Sequence, residues 1–133
     1  MKKILLIFSF LSFLSIYTYA QNSQDTKTDS IKFKNLVHDY GKMKQGSDGN
    51  CEFIFTNNGK APIIISNVKA ACGCTTPDWT KVPVNPGEKG FVKVGYNTQI
   101  PGTFIKTITV NSSAINSMVV LTIKGEVIPN ATN

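Results

Sequence analysis

From Ile31 to about Ile128 the sequence is a succession of short β-branched and aromatic runs, broken by turn residues roughly every ten positions. Ile31-Lys32-Phe33-Lys34 and Phe91-Val92-Lys93-Val94-Gly95-Tyr96 alternate, the period-two signature of a strand with one buried face. Cys51-Glu52-Phe53-Ile54-Phe55, Ile63 to Val68, Phe104 to Val110 and Met118 to Val127 are further β-rich runs, and an early strand starts at His38. Asn58-Gly59, Asn85-Pro86-Gly87 and Pro101-Gly102 separate them. Asn-Gly is expected to close a two-residue hairpin, because that turn needs positive φ. After residue 20 no stretch has the apolar period of an amphipathic helix. The predicted fold class is all-β, a single immunoglobulin-like antiparallel β-sandwich of about seven strands. Roughly 100 residues suffice for one hydrophobic core and not for two.

The chain opens MKKILLIFSFLSFLSIYTYA, with Lys2 and Lys3 ahead of an apolar run that is short for a bilayer span. This is the layout of a secretory signal peptide over residues 1–20, with cleavage expected between Ala20 and Gln21; a retained N-terminal anchor is the alternative. No cysteine lies at the cleavage point to take a lipoprotein anchor. Residues 21–30, QNSQDTKTDS, read as a flexible polar linker, residues 31–128 as the domain and residues 129–133 as a tail. The expected product is exported, periplasmic or secreted, with no stable membrane insertion after cleavage.

The precursor carries a formal charge of +6, which loss of Lys2 and Lys3 reduces to about +4. The excess is spread along the chain and comes wholly from lysine; no arginine is present for bidentate recognition of phosphates or bases. Nucleic acid is therefore not an expected partner. The charge supports a general attraction to anionic polymers and nothing sharper.

The stretch AACGCTTPDW holds two of the three cysteines, Cys72 and Cys74, on either side of Gly73. It lies in the connection from Lys69 to Pro83, expected at one end of the sandwich or where the chain crosses between sheets. Three chemistries could use the pair. Two thiolates at this spacing can hold a soft ion such as Cu(I), whereas zinc would need further ligands, with His38 or Asp78 brought in by the fold. A redox couple normally has two intervening residues and a following helix, and here Thr75-Thr76-Pro77 reads as extended. A disulfide staple suits an exported chain, with Gly73 allowing the close approach and Trp79 covering the sulfurs. The staple is the favoured reading, with pairing of Cys51 to one member of the loop as a variant. Cys51 alternates with Phe53 and Phe55 and is expected as a small core residue.

Other chemistry is thin. Asp39, Asp48, Asp78 and Glu88 never fall at a spacing that strands would bring onto one face, and His38 and Asp39 should point to opposite sides. His38 is expected to be solvated. The serines 112, 113 and 117 lack a nucleophile-elbow context, and no cofactor is implied. Asp29-Ser30-Ile31 matches an Asp-Ser/Thr-aliphatic pattern of bacterial O-glycosylation, with Ser30 as acceptor.

The order HDYGKM, FIFTNNGKAPIIISNVKAACGCTTPDW, VPVNPGEKGFVKVGYNT, GTFIKTITVNSS and LTIKGEV resembles an exported bacterial domain family of unknown function, number 1573. Cys72-Gly73-Cys74-Thr75, then Trp79 and Pro86-Gly87-Glu88, are the most specific marks; Cys51 lies outside the pattern. The resemblance implies the Hydin-like and major-sperm-protein-like branch of immunoglobulin-like sandwiches, a binding or scaffolding module and no named reaction. The expected function is thus a non-catalytic envelope module that binds a protein or glycan partner or acts as a scaffold. The alternative is a periplasmic thiol-redox or copper-binding protein that works through Cys72 and Cys74.

Overall fold

A computed structural model describes residues 30–131 of the chain. The expected leader, its cleavage point at Ala20 and Gln21, and the linker as far as Asp29 lie outside the described residues. Eight strands follow in order: β1 (Ile31–Phe33), β2 (Val37–Lys44), β3 (Asn50–Asn57), β4 (Ile65–Ala70), β5 (Thr75–Trp79), β6 (Lys89–Tyr96), β7 (Gly102–Ser112) and β8 (Met118–Ile128). They form two four-stranded sheets, ordered β1-β3-β6-β5 and β2-β8-β7-β4. The architecture is the immunoglobulin-like sandwich the strand pattern implies. All neighbours are antiparallel except β2, which runs parallel to β8.

Alternation decides what faces inward. Phe53 and Phe55 on β3, Val92, Val94 and Tyr96 on β6, Phe104, Ile108 and Val110 on β7, and Leu121, Ile123 and Val127 on β8 form one buried core. Each such side chain contributes about 1.5–3 kcal/mol of burial. Tyr96 of the first sheet stacks flat on Phe104 of the second, 3.8 Å between centroids. The Phe55 ring lies directly over Gly90, its register partner on β6.

Two of the expected turns form. The Glu88 amide donates to the Asn85 carbonyl (2.9 Å) around Pro86 and Gly87, and Gly87 takes the positive φ of 79° that the third position of such a turn demands. Gly102, after Pro101, also has positive φ. The third expectation fails. Asn58-Gly59 closes no hairpin, because β3 and β4 belong to different sheets and neither residue has positive φ. The preceding residue, Asn57, directs the chain instead. Fully buried, it donates to the carbonyls of Ala61 (2.7 Å) and Val84 (2.9 Å) and accepts from the Gly59 amide (2.8 Å). A wide bend held from inside replaces the tight turn.

Of the five points at which the chain changes sheets, two shape the surface. Residues 34–36 carry it from β1 to β2, and residues 71–74 carry it from β4 to β5.

Candidate functional site

The crossing from β4 to β5 is the cysteine loop. Only four residues separate Ala70, on the edge of one sheet, from Thr75, on the edge of the other. The loop is tied at both ends: the Ala71 amide donates to the Thr107 carbonyl of β7 (3.0 Å), and the Asn97 amide donates to the Cys74 carbonyl (2.9 Å). The Cys72 and Cys74 sulfurs sit at disulfide-bonding distance, with Cα atoms 5.4 Å apart, inside the normal range for a bridge. Both cysteines are half-buried, and the Thr75 hydroxyl lies 3.9 Å from each sulfur. Gly73 is exposed, lacks positive φ and has open space where a Cβ would stand, so its backbone freedom is not what closes the bridge.

The connection from Lys69 to Pro83 is shorter than the sequence implied, because Thr75–Trp79 is a strand. It lies on a sheet edge, the place where Pro77 is tolerated. That strand also removes Trp79 from the sulfurs. Thr75 pairs with Tyr96 and Trp79 with Val92, so Trp79 stands about 13 Å further along the strand. It packs against the core at that end, under the Lys81 ammonium, 3.0 Å from the ring centroid.

Cys51 takes no part in the bridge. It sits half-buried on β3 against the core, as the alternation implied. Burial raises its thiol pKa, and a hydrogen bond with Tyr40 partly opposes that rise. Burial and then the bond to Cys51 push the Tyr40 phenol up, and its hydroxyl donates to the Gly49 carbonyl at 2.7 Å. A thiol held protonated in this way is a poor nucleophile. His38, expected in solvent, is half-buried and meets the Tyr40 ring edge-on at 4.4 Å. Asp39 points the other way and pairs with Lys124 (3.7 Å), so the two make no dyad.

Each described carboxylate is engaged locally. Glu52 pairs with Lys93 (3.7 Å), Asp78 with Lys81 (3.5 Å) and Glu126 with Lys42 (3.9 Å). Asp48 accepts from Asn50, and Glu88 accepts from the Asn85 amide. Among the described residues no three His, Cys, Asp or Glu side chains gather as a metal site. Ser30 is half-buried at the head of β1, its carbonyl bound by the Asn58 amide (3.0 Å).

One feature was not read from the sequence. Between β1 and the first half of β8 runs a groove lined by Phe33, Leu36, Met118, Val119 and Val120, with Lys32 and Asn116 at its rim. Leu36, Met118 and Val120 are 51 %, 65 % and 48 % exposed. The signal available was the unbroken apolar run Met118-Val119-Val120-Leu121, which places apolar side chains on both faces of one strand.

A family model described as "Protein of unknown function (DUF1573)" matches residues 31–127. No curated protein matches the chain. Among solved structures, a protein of unknown function from Porphyromonas gingivalis W83 superposes with a TM-score of 0.67 at 14 % identity, covering 75 % of this chain and 47 % of that one. This chain thus spans about half the length of that protein. A PapD-like domain of human CEP192 gives 0.64 at 8 % identity, covering 79 % and 89 %. A chain of the CsuC–CsuE chaperone–tip adhesion subunit complex of Acinetobacter baumannii gives 0.54 at 9 %, covering 73 % and 56 %. At these identities the likeness is one of fold.

Proposed function

The chain belongs to the DUF1573 family, and from that premise we propose that it is an exported, non-catalytic module that binds a protein partner. The observation that carries this reading is the exposed apolar set Leu36, Val37, Met118 and Val120, which borders the open end of one sheet. Such contiguous apolar surface marks interaction sites in folded domains. The chaperone–adhesion complex among the similar structures is compatible with a sandwich of this kind holding a polypeptide. In this reading the Cys72–Cys74 pair is a staple at the crossing from β4 to β5. Export rests on the residues 1–20 pattern, and N-terminal sequencing of the native protein should begin at Gln21.

The test is a photocrosslinking amino acid at position 120 in the native cell, with position 105 as control. Ile105 is likewise exposed and apolar, but lies further along the sandwich, on β7 opposite Lys124. A defined protein adduct from position 120 and none from position 105 supports the reading. Adducts of equal yield from both, or none from either, would sink it.

A further inference from the structure

The groove beside β8 has the backbone chemistry of a missing strand. Ser30 and Lys34 direct their peptide groups to β3, through bonds to Asn58 and Ile54, so the odd-numbered residues of β1 direct theirs to the free edge. At that edge the Asn116 amide caps Ile31 on both sides, donating to its carbonyl (2.9 Å) and accepting from its N–H (3.0 Å). Phe33, the next residue with the same orientation, has no such cap. On the opposite wall the Thr122 amide donates to the Leu36 carbonyl (2.8 Å), which fixes the even-numbered residues of β8 toward the β2 side. Pairing with β2 starts only at Val37 and Thr122. Met118 and Val120 therefore present ladder groups with no strand beside them among the described residues.

The other edges are guarded. β2 carries Asp39, Lys42, Lys44 and a bulge at Gly41; β5 carries Pro77; β4 carries Lys69 and a register break. The Met118–Val120 edge has none of these devices and is flanked by exposed apolar side chains.

Charge indicates what would fill it. Lys32 lines the groove, and near it on the outer face of its own sheet stand Lys34 and, across Thr56, Lys89. Among the described residues no carboxylate lies within ion-pair distance of these three lysines, and the described carboxylates are all engaged elsewhere. Complementarity asks for an acidic partner.

We propose that this groove receives a short extended segment of a partner protein, in which apolar and acidic residues alternate. The segment adds as a strand to the Met118–Val120 edge of β8. Its apolar side chains pack beside Met118 and Val120 on the outer face, and its carboxylates, on the alternate face, turn toward β1 and Lys32. The proposal rests on the protein-binding reading above and specifies its site and ligand.

The experiment uses the isotope-labelled mature chain and two synthetic octapeptides, one alternating valine with glutamate and the other valine with lysine, each at about 1 mM, where weak binding registers. The valine–glutamate peptide should shift the Phe33, Met118 and Val120 amides and slow exchange at Val120 about tenfold, and the valine–lysine peptide should not. Val120→Pro removes only the edge-facing donor and should abolish the effect. Lys32→Glu with Lys34→Glu, whose sites are on the surface, should reverse the preference between the peptides. Equal binding of both peptides, shifts confined to other strands, or no shift at all would overturn the proposal. A crosslink at position 120 in the cell with no peptide effect would overturn strand addition alone and leave the protein-binding reading standing.

Discussion

The Asn57 side chain reaches from the end of β3 to the Val84 carbonyl, 2.9 Å away and 27 residues later in the chain. The same residue's backbone accepts from the Gly87 amide (2.8 Å) and donates to the Glu88 carbonyl (3.0 Å), so one asparagine joins the exit of β3 to the turn before β6. Asn57→Ala would leave the Val84 and Ala61 carbonyls without this donor. It should destabilise the domain by about 2–4 kcal/mol, measured by urea denaturation.

Gly90→Ala probes the neighbouring layer. A Cβ at this position would run into the Phe55 ring, whose side chain is fully buried and has no room to yield. Overpacking of this kind costs about 1–3 kcal/mol. The double change Gly90→Ala with Phe55→Leu should recover part of the loss, seen as a non-additive pair in the same denaturation assay.

Reduction of the Cys72–Cys74 bridge should cost about 1–2 kcal/mol, the modest value appropriate to a very short closed loop. Cys72→Ser should show the same loss and be insensitive to reductant. Because Trp79, the single tryptophan, lies at the far end of β5, native-state tryptophan fluorescence should hardly change on reduction. Lys81→Met, which removes the ammonium over the indole, should alter that fluorescence with the bridge intact.

Alkaline pH should weaken the fold through Cys51 and Tyr40. Both groups have pKa values raised by burial, so the folded state favours their protonated forms. Their contribution is fully present below the ordinary thiol and phenol pKa values, about 8.5 and 10, and is lost as pH rises through the raised ones. Stability should therefore be flat in this respect near neutrality and decline above about pH 9. Alkylation of Cys51 at pH 8 should be slower than that of a free thiol, and slower still in Tyr40→Phe, which removes the hydrogen bond that opposes the rise in the thiol pKa.

The strands and most turns were legible because alternation and β-branching are local properties, and a sheet crossing was one of the two places expected for the Cys72–Cys74 loop. Four features were not. β5 was hidden by Pro77, which is excluded from central strands but harmless on an edge that only the finished sheet defines. The Asn58-Gly59 hairpin was overruled by partners of Asn57, among them Val84, that no local window contains. His38 read as solvated although Tyr40, two residues on and therefore on the same face of β2, stood in the sequence as its ring partner. The groove at Met118 and Val120 escaped for a related reason: side chains of this type normally signal burial, and only the pairing pattern shows that no strand arrives to cover them.

The parallel pairing of β2 with β8 has a consequence for how the molecule is made. Its first long strand lies against its last, and β8 also pairs along its whole length with β7. A nascent chain that has not yet released residues 118–128 lacks the seam that holds β2, and with it half of one sheet. The sheet β2-β8-β7-β4 therefore cannot close until those residues are available, although the other sheet draws only on strands up to Tyr96. Half of the sandwich thus waits on its last-made strand, a long-range pairing of the kind that slows folding.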